Sequence, residues 1–118
     1  MNIDDMTVGE LKNLVKMFQG SGDEESPMIG RHCVVRTYSA GVWLGTVIKK
    51  KGANVVLAHA RRLWKWKGAF TLSEVALYGV DNEGSRIAVE VPEVELTQAI
   101  ELIPTTSSAQ KKFEVINE

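Results

Sequence analysis

Arg61-Arg62-Leu63-Trp64-Lys65-Trp66-Lys67-Gly68-Ala69-Phe70 is the stretch of the chain with the most chemistry in it. Indole planes stack on nucleobases, each worth about 1–3 kcal/mol, and guanidinium groups grip phosphate through two parallel N–H donors. A run that interleaves both suits a ligand that is flat and anionic, and a nucleotide is such a ligand. If the run is a strand, alternation places Arg61, Leu63, Lys65 and Lys67 on one side and Arg62, Trp64 and Trp66 on the other. The competing reading is structural. Tryptophans in a small β domain commonly fill a core or a subunit contact, and Arg61 and Arg62 can equally be surface charge.

Two polar segments are further candidates for holding phosphate. Thr37-Tyr38-Ser39-Ala40-Gly41 falls at a hairpin end, where hydroxyls and backbone N–H groups could receive an anion. It is equally a turn whose hydroxyls satisfy their own backbone. Gly84-Ser85-Arg86 offers the same two readings. His32 and His59 sit singly in strand-like surroundings and read as structural histidines. Signatures of catalysis are missing: the chain has no phosphate-binding Walker loop, no G-x-S-x-G and no H-E-x-x-H. The expectation is a binding protein without catalytic residues, metal or cofactor.

The charge distribution sharpens the first reading. Net charge is −1, which argues against general nucleic-acid binding, but the mean hides a segregation. No acid lies between Glu25 and Glu74, and that interval holds nine of the fourteen Lys and Arg together with all three Trp. The centre therefore carries +9, and the flanks, with five bases and fifteen acids, carry −10. Such blocks suit either an anion-binding region or two faces that attract each other between subunits.

These residues need elements to position them. The 118 residues suffice for one domain, and an apolar fraction of 44% with 25% charged residues is ordinary for a globular chain. The single cysteine, Cys33, excludes an intrachain disulfide and reads as core. No apolar run approaches the roughly 20 residues that span a bilayer, and the basic start of a signal peptide is lacking, so a cytoplasmic protein without membrane contact is expected.

Thr7-Val8-Gly9-Glu10 forms a capping box, and Leu11, Leu14, Val15 and Phe18 form one apolar stripe, which predicts an amphipathic helix within residues 1–19. Residues 20–27 have linker composition. A β domain is expected over 28–104, with a hairpin from Ile29–Tyr38 and Val42–Lys50, then a third strand from Val55. Thr71-Leu72-Ser73-Glu74 repeats the capping box and predicts a two-turn helix ended by Gly79. Arg86–Val91 and Val94–Ile103 supply further strands. In the last of these Val94, Leu96, Gln98, Ile100 and Leu102 share the buried face. Residues 105–118 are expected to be a loose tail, with Lys111-Lys112-Phe113 as the part that could dock. The fold class is mainly β: a small bent antiparallel sheet or SH3-like or Sm-like barrel with a helical insertion and an N-terminal amphipathic helix.

At Met28-Ile29-Gly30-Arg31, at Val35 through Val42, at Ala60-Arg61-Arg62-Leu63-Trp64-Lys65-Trp66 and at Thr97 through Pro104, the chain resembles a family of small phage proteins of mostly unassigned role. It also resembles the anti-Thoeris sponge proteins, which sequester cyclic ADP-ribose isomers made by bacterial TIR-domain enzymes. That resemblance implies a homo-oligomer that holds its nucleotide near protomer contacts through aromatic and Arg residues, without cleaving it. Some members of the branch also hold cyclic oligonucleotides at a separate site. Arg61, Arg62, Trp64, Trp66 and Phe70 are the residues it carries over. The alternatives are a Sm-like or SH3-like module for nucleic acid or a host protein, and a structural virion component whose charge blocks pair between subunits. A sponge requires a closed pocket of convergent Arg and aromatics, whereas a strand binder requires an open basic groove.

Overall fold

A computed structural model describes residues 26–117. The expected helix within 1–19 and the linker up to residue 25 lie outside the described residues.

The β-branched run after Arg31 forms β1 (His32–Thr37), and Val42 starts β2 (Val42–Lys51), which pairs with it antiparallel in the register Val34↔Leu44. Gly52, at φ +59°, turns the chain into the twelve-residue β3 (Asn54–Lys65). This strand is shared. Its first half pairs with β5 (Val91–Leu96) and its second half with β4 (Arg86–Ile87). β6 (Ala99–Pro104) pairs with β1, giving the order β4-β3-β2-β1-β6 with β5 on β3.

The sheet is strongly bent, and local features of β2 and β3 allow the bend. Leu44 faces Arg61 but Thr46 faces Ala58, so β3 carries an extra residue here, and His59 takes a left-handed φ of 51°. Opposite lies Gly45, where a Cβ would stand 3.1 Å from Leu57 Cβ and 3.2 Å from Ala58 O. A bulge with a glycine against it lets the two strands fold over themselves.

The bend divides the core in two. On one face of the sheet Cys33, Val35, Trp43, Val47, Val55, Leu57, Ala60 and Leu96 form one buried cluster. On the other side Val34, Leu44, Leu63 and Ile87 meet two helices. The first helix, α1 (Leu72–Tyr78), starts where the capping box places it. Thr71 Oγ1 accepts from Glu74 N, while Glu74 Oε1 accepts from Phe70 N, one residue ahead of the cap.

Two expectations need correction. The tail after Pro104 is not loose: Thr106 caps α2 (Ser107–Glu114), and Ala109, Phe113 and Ile116 are buried against the sheet. Thr106 Oγ1 also donates to Leu77 O at the end of α1, which ties the two helices together. The run from Val94 to Ile103 is two strands, because the chain breaks at Thr97-Gln98 to change partner from β3 to β1. Within β6, Arg36 faces Glu101 but Thr37 faces Ala99, so Ile100 is an extra residue and is exposed, while Leu102 packs on the Cys33 cluster and Ile103 on the helical side. The fold is mainly β, a six-stranded bent antiparallel sheet with two short helices.

Candidate functional site

Successive strand residues point to opposite faces, and β3 uses this to send its two arginines in different directions. Arg62 pairs with Trp43 across β2–β3, and its guanidinium lies 4.5 Å from the centre of the Trp43 ring. Trp43 belongs to the Cys33 cluster, its Nε1–H donating to Ala40 O in the β1–β2 turn. Trp64 follows one residue beyond the Val42↔Leu63 pair, level with that turn, and is about half exposed at 53%. The exposed Tyr38 and Ser39 belong to the same turn. Cation, indole and hydroxyl groups therefore share one end of the sheet.

The other residues of the basic and aromatic run are dispersed. Lys65, not Trp64, faces Arg86, so a second irregularity falls at Trp64 and resets the alternation. Trp66 consequently packs with Leu63 on the helical side, away from Arg62. Phe70 is 95% exposed in the loop before α1 and has no ring contact among the described residues. Arg86 is exposed beside Lys65, its Nη1 donating to Ser85 O.

Arg61 has a structural task. Its Nε donates to Ala88 O at 2.8 Å, its Nη1 to Phe113 O at 3.0 Å, and its Nη2 to Ile87 O at 3.0 Å and Ile116 O at 2.7 Å. One guanidinium thus joins β4 to the C-terminal end of α2. Thr37 and Ser85 are also satisfied internally. Buried Thr37 donates to Gly41 O and accepts from Ala40 N, closing its own turn. Buried Ser85 accepts from Lys67 N. Ser39 Oγ donates to Gln98 Oε1, bridging the turn to the break between β5 and β6.

On the helical side the structure opens a cleft of about 730 Å³ that local sequence motifs did not reveal. Its apolar lining includes Leu44, Ile87 and Phe113, and its polar lining includes His32, His59, Glu90 and Glu114. His32 stacks on Phe113 with ring centres 6.2 Å apart, and burial lowers its pKa. His59, turned outward by its bulge, holds Glu90 through Nδ1 and Oε2 at 2.9 Å. Neither this cleft nor the smaller hollow at Val80, Asp81 and Lys112 is lined by Arg62, Trp64, Trp66 or Phe70. On one chain the Arg62–Trp64 surface is an open face.

Among the described residues no three His, Cys, Asp or Glu side chains are grouped to hold a metal, and no helix is long and apolar enough to cross a membrane. Fold and surface together define a small β-rich domain with an exposed cationic and aromatic end. A family described as a domain of unknown function, DUF6948, matches residues 30–113, and the chain belongs to that family. No curated protein and no solved structure matches it.

Sequence reasoning missed Trp43 and the cleft. The signal for Trp43 was its place in the strand facing Arg62, legible only once the β2–β3 register is known. The cleft draws its residues from widely separated parts of the chain and has no local signature.

Proposed function

We propose that the protein binds and sequesters a flat anionic ligand of the cyclic-nucleotide class, without cleaving it, at the end of the sheet formed by Arg62, Trp43, Trp64 and the 38–41 turn. The observation that carries this reading is the Arg62 guanidinium resting on the Trp43 ring at the end of the sheet where half-exposed Trp64 also falls. Arg62 is exposed and, among the described residues, has no carboxylate partner, so its charge is available to a phosphate. A base can stack on Trp64 while Arg62 reaches the phosphate. The resemblance to the anti-Thoeris sponge proteins favours a cyclic ADP-ribose isomer as ligand and a phage role in counteracting a bacterial defence. Because the face is open, its enclosure falls to a second copy of the chain, consistent with a homo-oligomer.

The same openness favours one second reading, a module that binds single-stranded nucleic acid along the face. Calorimetric titration with cyclic ADP-ribose isomers and with a short single-stranded oligonucleotide, at two salt concentrations, separates the two. In the first reading the cyclic nucleotide binds, Trp64→Ala and Arg62→Ala each weaken it by about 5- to 100-fold while the melting temperature falls by no more than about 8 °C, and heating the complex returns the nucleotide unchanged in mass. Binding of the oligonucleotide alone, falling steeply with salt, favours the second reading. A hydrolysed product formed catalytically would overturn sequestration.

A further inference from the structure

Large apolar side chains left in water carry information when several share one face. α1 buries Val75 and Ala76, and its other side brings Glu74, Leu77 and Tyr78 together, because residues three and four apart lie on one helical face. Tyr78 is 63% exposed and Leu77 47%. The Glu74 carboxylate reaches back to Phe70 N at 2.7 Å, which sets the almost wholly exposed Phe70 at the head of the same face. Ile48, Val89, Ile100 and Val115 are exposed too, but they are spread over separate segments.

The stripe of Leu11, Leu14, Val15 and Phe18 needs a surface of this kind, since a helix of that length is not stable alone. From Leu11 to Phe18 a helix measures about 10 Å, the same as α1 from Thr71 to Tyr78. Lys12 and Lys16 edge the stripe on one flank, and Glu74 stands within the face of α1, so the charges are complementary. The tether leads to the same place. Residues 19–25, with a reach of at most about 25 Å, join the stripe to Ser26. Ile29 N donates to Ser26 O and Arg31 N to Met28 O, and these tight turns keep Ser26 close to the start of β1. There Thr105 N donates to His32 O at 2.8 Å, and Thr106 N to Ala76 O at 3.0 Å, with the Thr106 hydroxyl on Leu77 O. The chain that carries the stripe thus enters the domain beside the Leu77 end of α1.

We propose that residues 7–19 lie along α1 of their own chain, with the stripe covering Phe70, Leu77 and Tyr78. Because the tether arrives at the Leu77 end, Phe18 meets Leu77 and Tyr78, Leu11 meets Phe70, and the two lysines pass Glu74. This docking surface is independent of the Arg62–Trp64 face and gives Phe70 a partner other than a nucleotide.

Two measurements on the full chain test this. In the first, backbone amide shifts are compared between the parent and Leu14→Glu, with a thermal melt to verify that the β domain stays folded. The changes outside the segment should centre on residues 70–79. In the second, Phe18→Cys is combined with Leu77→Cys and oxidised, and the control pairs Phe18→Cys with Ile48→Cys. Ile48 is as near the tether, because Gly30 N donates to the neighbouring Val47 O, but lies on another element. Leu11, Leu14 and Val15 still guide the first pair, so an intrachain disulfide should form there at least about 10-fold faster than in the control, and Leu14→Glu should abolish that advantage. Equal rates for the two pairs, or shifts centred outside residues 70–79, would overturn the proposal. Disulfides formed only between chains would overturn it in favour of a second copy as the occupant.

Discussion

Arg61 and Arg62 are neighbours of one residue type, and the structure requires their substitutions to fail in opposite ways. Replacing Arg61 by Ala removes four hydrogen bonds from a half-buried guanidinium to the carbonyls of Ile87, Ala88, Phe113 and Ile116. A net value of about 1 kcal/mol each, at the low end because the group is partly solvated, gives a loss of about 3–5 kcal/mol. Against a total of roughly 5–15 kcal/mol for a domain of this size, that is a large fraction. It should appear in scanning calorimetry as a melting temperature lower by roughly 15–25 °C. Arg61→Lys keeps the charge but cannot span four carbonyls with one ammonium, so it should recover less than half of the loss. Arg62→Ala removes a guanidinium that rests on one ring face at the surface and should cost about 1 kcal/mol or less. The reasoning is refuted if Arg61→Ala melts within about 3 °C of the parent and instead abolishes nucleotide binding, because Arg61 would then be the ligand residue and Arg62 the bystander.

Phe113→Ala should destabilise the domain by about 3–4 kcal/mol in urea titration, since it empties the contact between α2 and the sheet, whereas a loose tail would leave the midpoint unchanged. His32, whose pKa burial lowers from its ordinary value of 6.5, takes up its proton less readily folded than unfolded. Its contribution is therefore complete above about pH 6.5 and is lost as the pH falls below that, and His32→Gln should flatten this part of the stability profile. Light scattering at micromolar protein should report a higher mass with saturating cyclic nucleotide than without it, or an oligomer in both states, and a monomer in both states contradicts enclosure by a second copy.

The fold was legible wherever its cause is local. The Thr71 cap and the β1–β2 hairpin depend on residues adjacent in the chain, and the sequence places them correctly. The alternation of the Arg61–Trp66 run was misread because alternation holds only within an unbroken strand. The irregularity between Leu63 and Lys65 moved Trp66 to the side opposite Arg62. The second helix did leave a signal, as Thr106 precedes Ala109, Phe113 and Ile116 at helical spacing, but the polar residues Ser107, Ser108, Gln110, Lys111 and Lys112 outweighed it in composition. The task of Arg61 could not be read, because its acceptors are main-chain carbonyls and a carbonyl has no residue type. The candidate site was therefore visible as an inventory of rings and cations, and only the register sorts them into those facing Trp43 and those serving the core.

The open Arg62–Trp64 face also sets a limit on what one chain can do. Sequestration at nanomolar dissociation constants corresponds to about 12 kcal/mol. One stacked base contributes about 1–3 kcal/mol. A charge-assisted contact from Arg62 adds a similar amount, less because the group is exposed. These do not approach the requirement even before the cost of immobilising a ligand is subtracted. The shortfall must come from surfaces that remove the ligand from water, and on this molecule the exposed rings of Tyr38 and Phe70 are not folded back over Trp64 to do so. A sponge built on this face is therefore a sponge only as an assembly, and a chain that stays monomeric with ligand bound would be a weak, exchanging binder. That is the behaviour of a module that reads a strand rather than one that removes a signal.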